Sequence, residues 1–221
     1  MYKSFLILAL VVGFFVTTSG KSQSVDASLT EAYSAFESAK TYTQYVSASN
    51  NFKLIAKQNP QYWLANYYAA WSIAIISFQE PNKDNKDIML NEADVFFKKI
   101  EPMDSMNDEV AVLGGLLAQA RLSVAPASRH SEYGAIANTY FDKAKKINPD
   151  NPRVYFLQGN ILFYTPKLMG GGAEKALPIY QKAQELFSEN ASDMMRDIDN
   201  PFWGKEVNEY MIKECREGKN K

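Results

Sequence analysis

NPRVYFLQGNILFYTPKLMGGGAEKALPIYQKAQELF, residues 151–187, is the stretch that decides the fold of this chain. Asn151 and Pro152 form a helix start, a capping side chain followed by a proline at the first helical position, where its missing N–H costs nothing. Val154, Leu157, Ile161 and Tyr164 then recur at helical spacing on one apolar face. Thr165-Pro166 ends the run, because the residue before a proline is pushed out of the α region. Gly170, Gly171 and Gly172 supply a bend free of Cβ constraints. A second helix carries Ala176, Ile179, Tyr180, Ala183, Leu186 and Phe187 on one side, and Pro178 early in it predicts a kink or a delayed start.

The same plan recurs upstream. Ser28 and Glu31 read as a capping box after a polar linker over residues 21–27, opening a helix over 29–39. Further helices are predicted over 42–57, 61–78, 87–100 and 107–124, the last opened by Asn107 with Asp108 and Glu109 in its first turn. Residues 125–130 read as a loop, Ser131 caps a sixth helix, and a final helix spans 203–216. With no alternating strand run and no hairpin turn signal, the chain reads as all-α.

The second helices of the pairs align. Ala48, Phe52 and Ile55 match Ala93, Phe97 and Ile100, then Ala137, Phe141 and Ala144, then Ala176, Tyr180 and Ala183. The first helices agree, with Ala70, Gly114 and Gly159 as small positions that let the paired helices approach closely. A fixed period of this kind means stacked units, none of which buries its apolar face alone.

On these residues the chain resembles the tetratricopeptide repeat family, through Gly159, Ala176, Tyr180 and Ala183, with Pro60 and Pro149 at the family's terminal proline position. The match is clear over residues 142–187 and partial over 27–147. It departs in length. The family period is about 34 residues, whereas Gly159 precedes Ala176 by 17 positions and Gly114 precedes Ala137 by 23. The longer period also suits HEAT-type repeats of about 40–47 residues. The insertion before Ala173-Glu174-Lys175-Ala176 is similar to small exported Gram-negative proteins of the tetratricopeptide type. The resemblance implies a short right-handed α-solenoid of about four helix-turn-helix repeats over residues 28–187, covered at its end by a capping segment over 188–221.

Composition sets the compartment. Lys3 and the apolar run FLILALVVGFFV (residues 5–16) form a signal peptide with small residues Thr17, Thr18, Ser19 and Gly20 at its end, placing cleavage near Gly20 and the mature chain in the periplasm or secreted. An uncleaved N-terminal anchor is the alternative, though the span is short for one. No stable membrane insertion is expected after cleavage. The sole cysteine, Cys215, cannot form an internal disulfide and reads as a small buried apolar residue, with a free reactive thiol or an intermolecular link as the alternatives. Hydrophobic residues make up 46% and charged residues 22%, with a formal net charge of −1, which gives no electrostatic case for nucleic acid.

Chemistry-bearing motifs are sparse. The only histidine, His130, lies in a predicted loop without convergent ligands. Asp197 to Asn200 lacks the glycine and distant glutamate of a calcium loop. The triple glycine lacks the strand and the lysine of a phosphate loop. Asn190-Ala191-Ser192 is a glycosylation sequon by pattern only. No cofactor, metal or catalytic set is assigned. What remains is aromatic content. Carried over by register from the resemblance, the concave face holds Tyr67, Trp71, Arg153, Phe156, Asn160, Phe163 and Tyr164. The competing reading is that these aromatics pack between helices. The chain therefore reads as a non-enzymatic scaffold for a protein or peptide partner, with a periplasmic small-ligand accessory protein of an uptake system as the alternative. An enzyme would need converging carboxylates of raised pKa, with Glu37, Asp108 and Glu109 the first to check.

Overall fold

The computed structural model describes residues 19–189 and 200–218, with side chains from residue 25 onward. The apolar leader, its cleavage region up to residue 18, the sequon and residues 197–199 lie outside the described residues. The fold is all-α: α1 (Ser19–Ser38), α2 (Tyr42–Gln58), α3 (Trp63–Ser77), α4 (Lys83–Ile100), α5 (Asp108–Val124), α6 (Pro126–Ile147), α7 (Pro152–Tyr164), α8 (Ala173–Glu189) and α9 (Lys205–Arg216). Short 3-10 turns succeed α4 at Glu101–Met103 and α7 at Lys167–Met169.

Caps fix several starts. Thr41 and Gln44 form a reciprocal capping box on α2. Asn82, Asn107 and Asn151 accept from the first-turn N–H groups of Asn85, Val110 and Arg153. Three sequence expectations are corrected. The expected linker over residues 21–27 is helical, so Ser28 lies inside α1 rather than at its start. Residues 126–130 belong to α6, because Pro126 occupies a first-turn position, so Ser131 and His130 lie within the helix. The start of α8 is not delayed to Pro178: the helix begins at Ala173 and runs through the proline. The triple glycine is a pinned bend, with Gly171 N–H donating to the Pro166 carbonyl and Gly172 N–H to that of Leu162.

Helices pack in sequence, α1 on α2, α3 on α4, α5 on α6 and α7 on α8. The first helices also meet each other, α3 on α5 and α5 on α7, while α4 and α6 both lean on α5. One apolar core runs from Val25 in α1 to Cys215 in α9. Helix α9 packs on α8 through its buried Met211, Ile212 and Cys215. The aligned aromatics Phe52, Phe141 and Tyr180 are fully buried. Tyr180 lies on Gly159 and Phe141 lies on Gly115, one residue beyond the Gly114 of the sequence alignment; Gly114 instead carries the ring of Tyr140.

A charged clamp ties α4 to the α5–α6 corner. Arg129 reaches both carboxylate oxygens of Asp87, and Arg121 bonds Asp87, Asn91 and Asp94. The Arg129 hydrogen bonds, more than the opposing desolvation, hold the Asp87 carboxyl below the usual aspartate range. A depressed folded-state pKa adds stability above the unfolded value that is lost as pH falls through the folded one. Unfolding free energy should therefore drop below about pH 4, and Asp87→Asn should flatten that limb in urea titrations at stepped pH. An acid limb of the same slope in Asp87→Asn would place the titration elsewhere.

Candidate functional site

The first-helix face gathers four of the seven expected residues. Tyr67 and Trp71 come from α3, and Arg153 and Phe156 from α7. All four are buried, and they surround the chain's own segment 201–204. The Trp203 indole N–H donates to the Tyr67 hydroxyl at 2.8 Å, and Arg153 donates through Nη2 to the Pro201 carbonyl. The Trp203 ring lies 6.2 Å from Trp71 and 6.4 Å from Phe156. Phe202 packs on Tyr33 of α1 at 4.2 Å. The remaining three are placed differently. Asn160 accepts from the Tyr180 hydroxyl, Phe163 is buried, and Tyr164 is 71% exposed at the end of α7. The aromatics here are therefore largely core, and the part played by residues 201–204 was invisible because nothing in a Pro-Phe-Trp-Gly run says which surface it will cover.

Behind this segment lies a buried ionic knot. Glu109, in the first turn of α5, accepts from Arg153 at 3.0 Å, from Asn151 at 2.7 Å and from the Tyr67 hydroxyl at 3.3 Å. Burial raises the Glu109 carboxyl above its usual range, against the lowering pull of Arg153. Asp108 accepts from Asn148 and Asn151. The Glu109 oxygens are engaged in holding α3, α5 and α7 together.

An open site lies on the other side of α5. A cleft of about 410 Å³ runs between α4 and α6 with α5 as its floor. Phe97, Leu117, Ile136, Tyr133 and Tyr140 give it apolar walls, and Asn91, Asp94, Lys98, Glu101 and Arg121 stand at its polar positions. The Tyr140 hydroxyl donates to Glu101 at 2.7 Å. Burial, then that hydrogen bond, hold the phenol protonated far above its ordinary range. None of these wall residues belonged to the expected site.

A smaller hollow at the aligned sequence positions shows why this cleft is open. The equivalent hollow one unit earlier, between α2 and α4 over α3, holds about 160 Å³. It is bridged by the ion pair of Lys53 with Glu92, at 3.0 Å. In the alignment of Ala48, Ala93 and Ala137, Lys53 corresponds to Lys98 and Glu92 to Ile136. The cation is kept and its anion is replaced by an apolar side chain. The bridge cannot form, and Ile136 faces the cleft 37% exposed.

Fold and site together define an all-helical binding scaffold. No described helix is long and apolar enough to cross a membrane, and among the described residues no cluster of His, Cys, Asp and Glu is placed to hold a metal ion. No protein-family model and no curated protein sequence matches the chain. Among solved structures it is similar to the HusA haemophore from Porphyromonas gingivalis, with 30% identity and a TM-score of 0.72, over 89% of this chain and 95% of that one. At that identity over nearly all of both chains, the protein belongs to the family of this haemophore.

Proposed function

We propose that this protein is an exported, non-catalytic carrier of a porphyrin-class ligand, bound in the cleft between α4 and α6. The kinship with a haemophore over almost the full length of both chains carries the reading. Haem is a flat aromatic macrocycle with two carboxylate arms. The cleft offers apolar and aromatic walls to a flat body and the Lys98 ammonium to a carboxylate. Its volume falls in the range of about 300–1,000 Å³ usual for small-ligand sites. The small-ligand reading is preferred to the protein-partner one because the first-helix face is filled by residues 201–204. Tetratricopeptide-type stacking of the helix pairs belongs to the same proposal. It accounts for the repeat of the α2–α4 hollow as the α4–α6 cleft.

Absorbance titration with haemin and with metal-free protoporphyrin tests it. Ile136→Glu should weaken binding at least about tenfold, by placing a carboxylate against the apolar face and the ligand's own anions. Val95→Glu, at an exposed position of α4 outside the cleft, should bind as the wild type does. Unchanged affinity in Ile136→Glu would remove the cleft from the reading. A wild-type chain that binds neither porphyrin would end the reading itself.

A further inference from the structure

The first-helix face is filled, but filled imperfectly. Among the described residues, five buried side-chain polar atoms have no partner, and three of them lie here: Tyr68 Oη, Trp71 Nε1 and Arg153 Nε. The Arg153 case is the most telling. Its side chain is only 4% exposed, Nη1 is taken by Glu109 and Nη2 by the Pro201 carbonyl. The Nε–Nη2 edge is the one that grips a carboxylate with two parallel hydrogen bonds. A single peptide carbonyl uses half of it. The guanidinium also lies 5.5 Å from the Trp203 ring centre, so one cation holds both a carbonyl oxygen and an aromatic plane of the same short segment.

That segment meets α9 at Gly204, whose carbonyl accepts the Asn208 N–H at 2.8 Å. Gly204 sits at φ 108°, a left-handed conformation that side chains avoid. Helix α9 begins immediately after it with no side-chain cap. Residues 201–203 can thus change course at Gly204 without unwinding α9.

We propose that the face formed by Tyr67, Trp71, Arg153 and Phe156 is a second binding site, for a flat aromatic carboxylate. Phe202 and Trp203 occupy it as an internal stand-in that such a ligand displaces. The displaced indole gives up one hydrogen bond to Tyr67 and the displaced carbonyl one to Arg153. The arriving carboxylate takes both hydrogen bonds of the Arg153 edge, and its ring takes the place of the indole against Trp71 and Phe156. This site is separate from the α4–α6 cleft and stands or falls without the porphyrin reading.

The test uses two probes, indole-3-propionate and 3-methylindole, which share the ring and differ in the carboxylate. In Trp203→Ala, indole-3-propionate should bind at least about tenfold more tightly than 3-methylindole. In the wild-type chain it should bind about 10- to 100-fold more weakly than in Trp203→Ala, the ratio reporting how firmly the stand-in is held. The Trp203 indole N–H resonance should move during the wild-type titration while that of Trp63 stays in place. Equal affinity of the two probes in Trp203→Ala would reveal a mere apolar hole and overturn the proposal. So would a stationary wild-type Trp203 resonance at a probe concentration about a hundredfold above the Kd of the variant. If Trp203→Ala does not fold, Phe202→Ala carries the same comparison. It keeps the Trp203–Tyr67 bond, and should bind indole-3-propionate more tightly than the wild type and more tightly than it binds 3-methylindole; failure of either would also overturn the proposal.

Discussion

Arg153→Met is expected to lower the unfolding free energy by about 3–5 kcal/mol, the usual cost of breaking a buried pair by removing one partner. Met replaces much of the apolar stem, so the loss is mainly electrostatic. It leaves Glu109 buried with hydrogen bonds from Asn151 and Tyr67 but no cation. It also removes the guanidinium that holds the Pro201 carbonyl and lies over Phe187 and Trp203. The pH dependence separates this mechanism from simple loss of packing. Burial already raises the Glu109 carboxyl in the wild type, and Arg153 is the main influence pulling it down. Without Arg153 the folded-state pKa rises further. Between the unfolded value, about 4.3, and that raised value, the folded state binds more protons than the unfolded one, so stability falls as pH rises. The deficit of Arg153→Met should thus shrink on going from pH 7 to pH 5 in chemical denaturation. Glu109→Gln added to Arg153→Met should recover part of the loss at pH 7, because no buried charge is left unpaired. A deficit independent of pH, with no recovery in the double variant, would show that the ion pair carries none of the stability.

That pair also marks how far the sequence could be read. The helical class comes from spacing and caps, because the 3.6-residue period and Asn-type capping are local, and Asn107 and Asn151 act as read. Locally ambiguous signals failed where a neighbouring element decided. Ser28-Leu29-Thr30-Glu31 has the letters of a capping box, yet α1 continues through it from Ser19. Of the candidate site, Tyr67 and Trp71 on α3 and Arg153 and Phe156 on α7 could be assigned to one face by register, although α5 lies between the two helices. What covers them was not legible. The bond from Trp203 to Tyr67 joins residues 136 positions apart, and no period predicts it. The open cleft was legible in principle, as the exchange of Glu92 for Ile136 at one repeat position. Its meaning depends on knowing that Lys53 and Glu92 meet across a groove, and only the structure shows that.

Tyr180→Ala should cost about 3–5 kcal/mol, as expected for removing a fully buried ring, and Gly159→Ala about 1–3 kcal/mol for overpacking against the same ring. A Cβ on Gly159 would lie 2.5 to 3.0 Å from three Tyr180 ring atoms. The ring cannot simply retreat, because it is fully buried and its hydroxyl is fixed on Asn160 at 2.8 Å. The glycine is therefore a socket shaped for the aromatic of the partner helix, and the two losses must be coupled. Once Tyr180 is gone, a methyl on Gly159 meets no ring and fills part of the cavity instead. The double variant Gly159→Ala/Tyr180→Ala should thus be less destabilised than the two single losses added, by about 1 kcal/mol or more. Gly115 stands in the same relation to Phe141, its added Cβ falling 2.3 Å from the ring, so Gly115→Ala with Phe141→Ala should repeat the pattern one unit earlier. Additive losses at both places, measured by urea denaturation, would mean that the small-and-aromatic signature is not what sets the approach of paired helices. Coupling at both would show that one packing rule, written as a glycine on the first helix and a ring on the second, holds the last two units of the chain together.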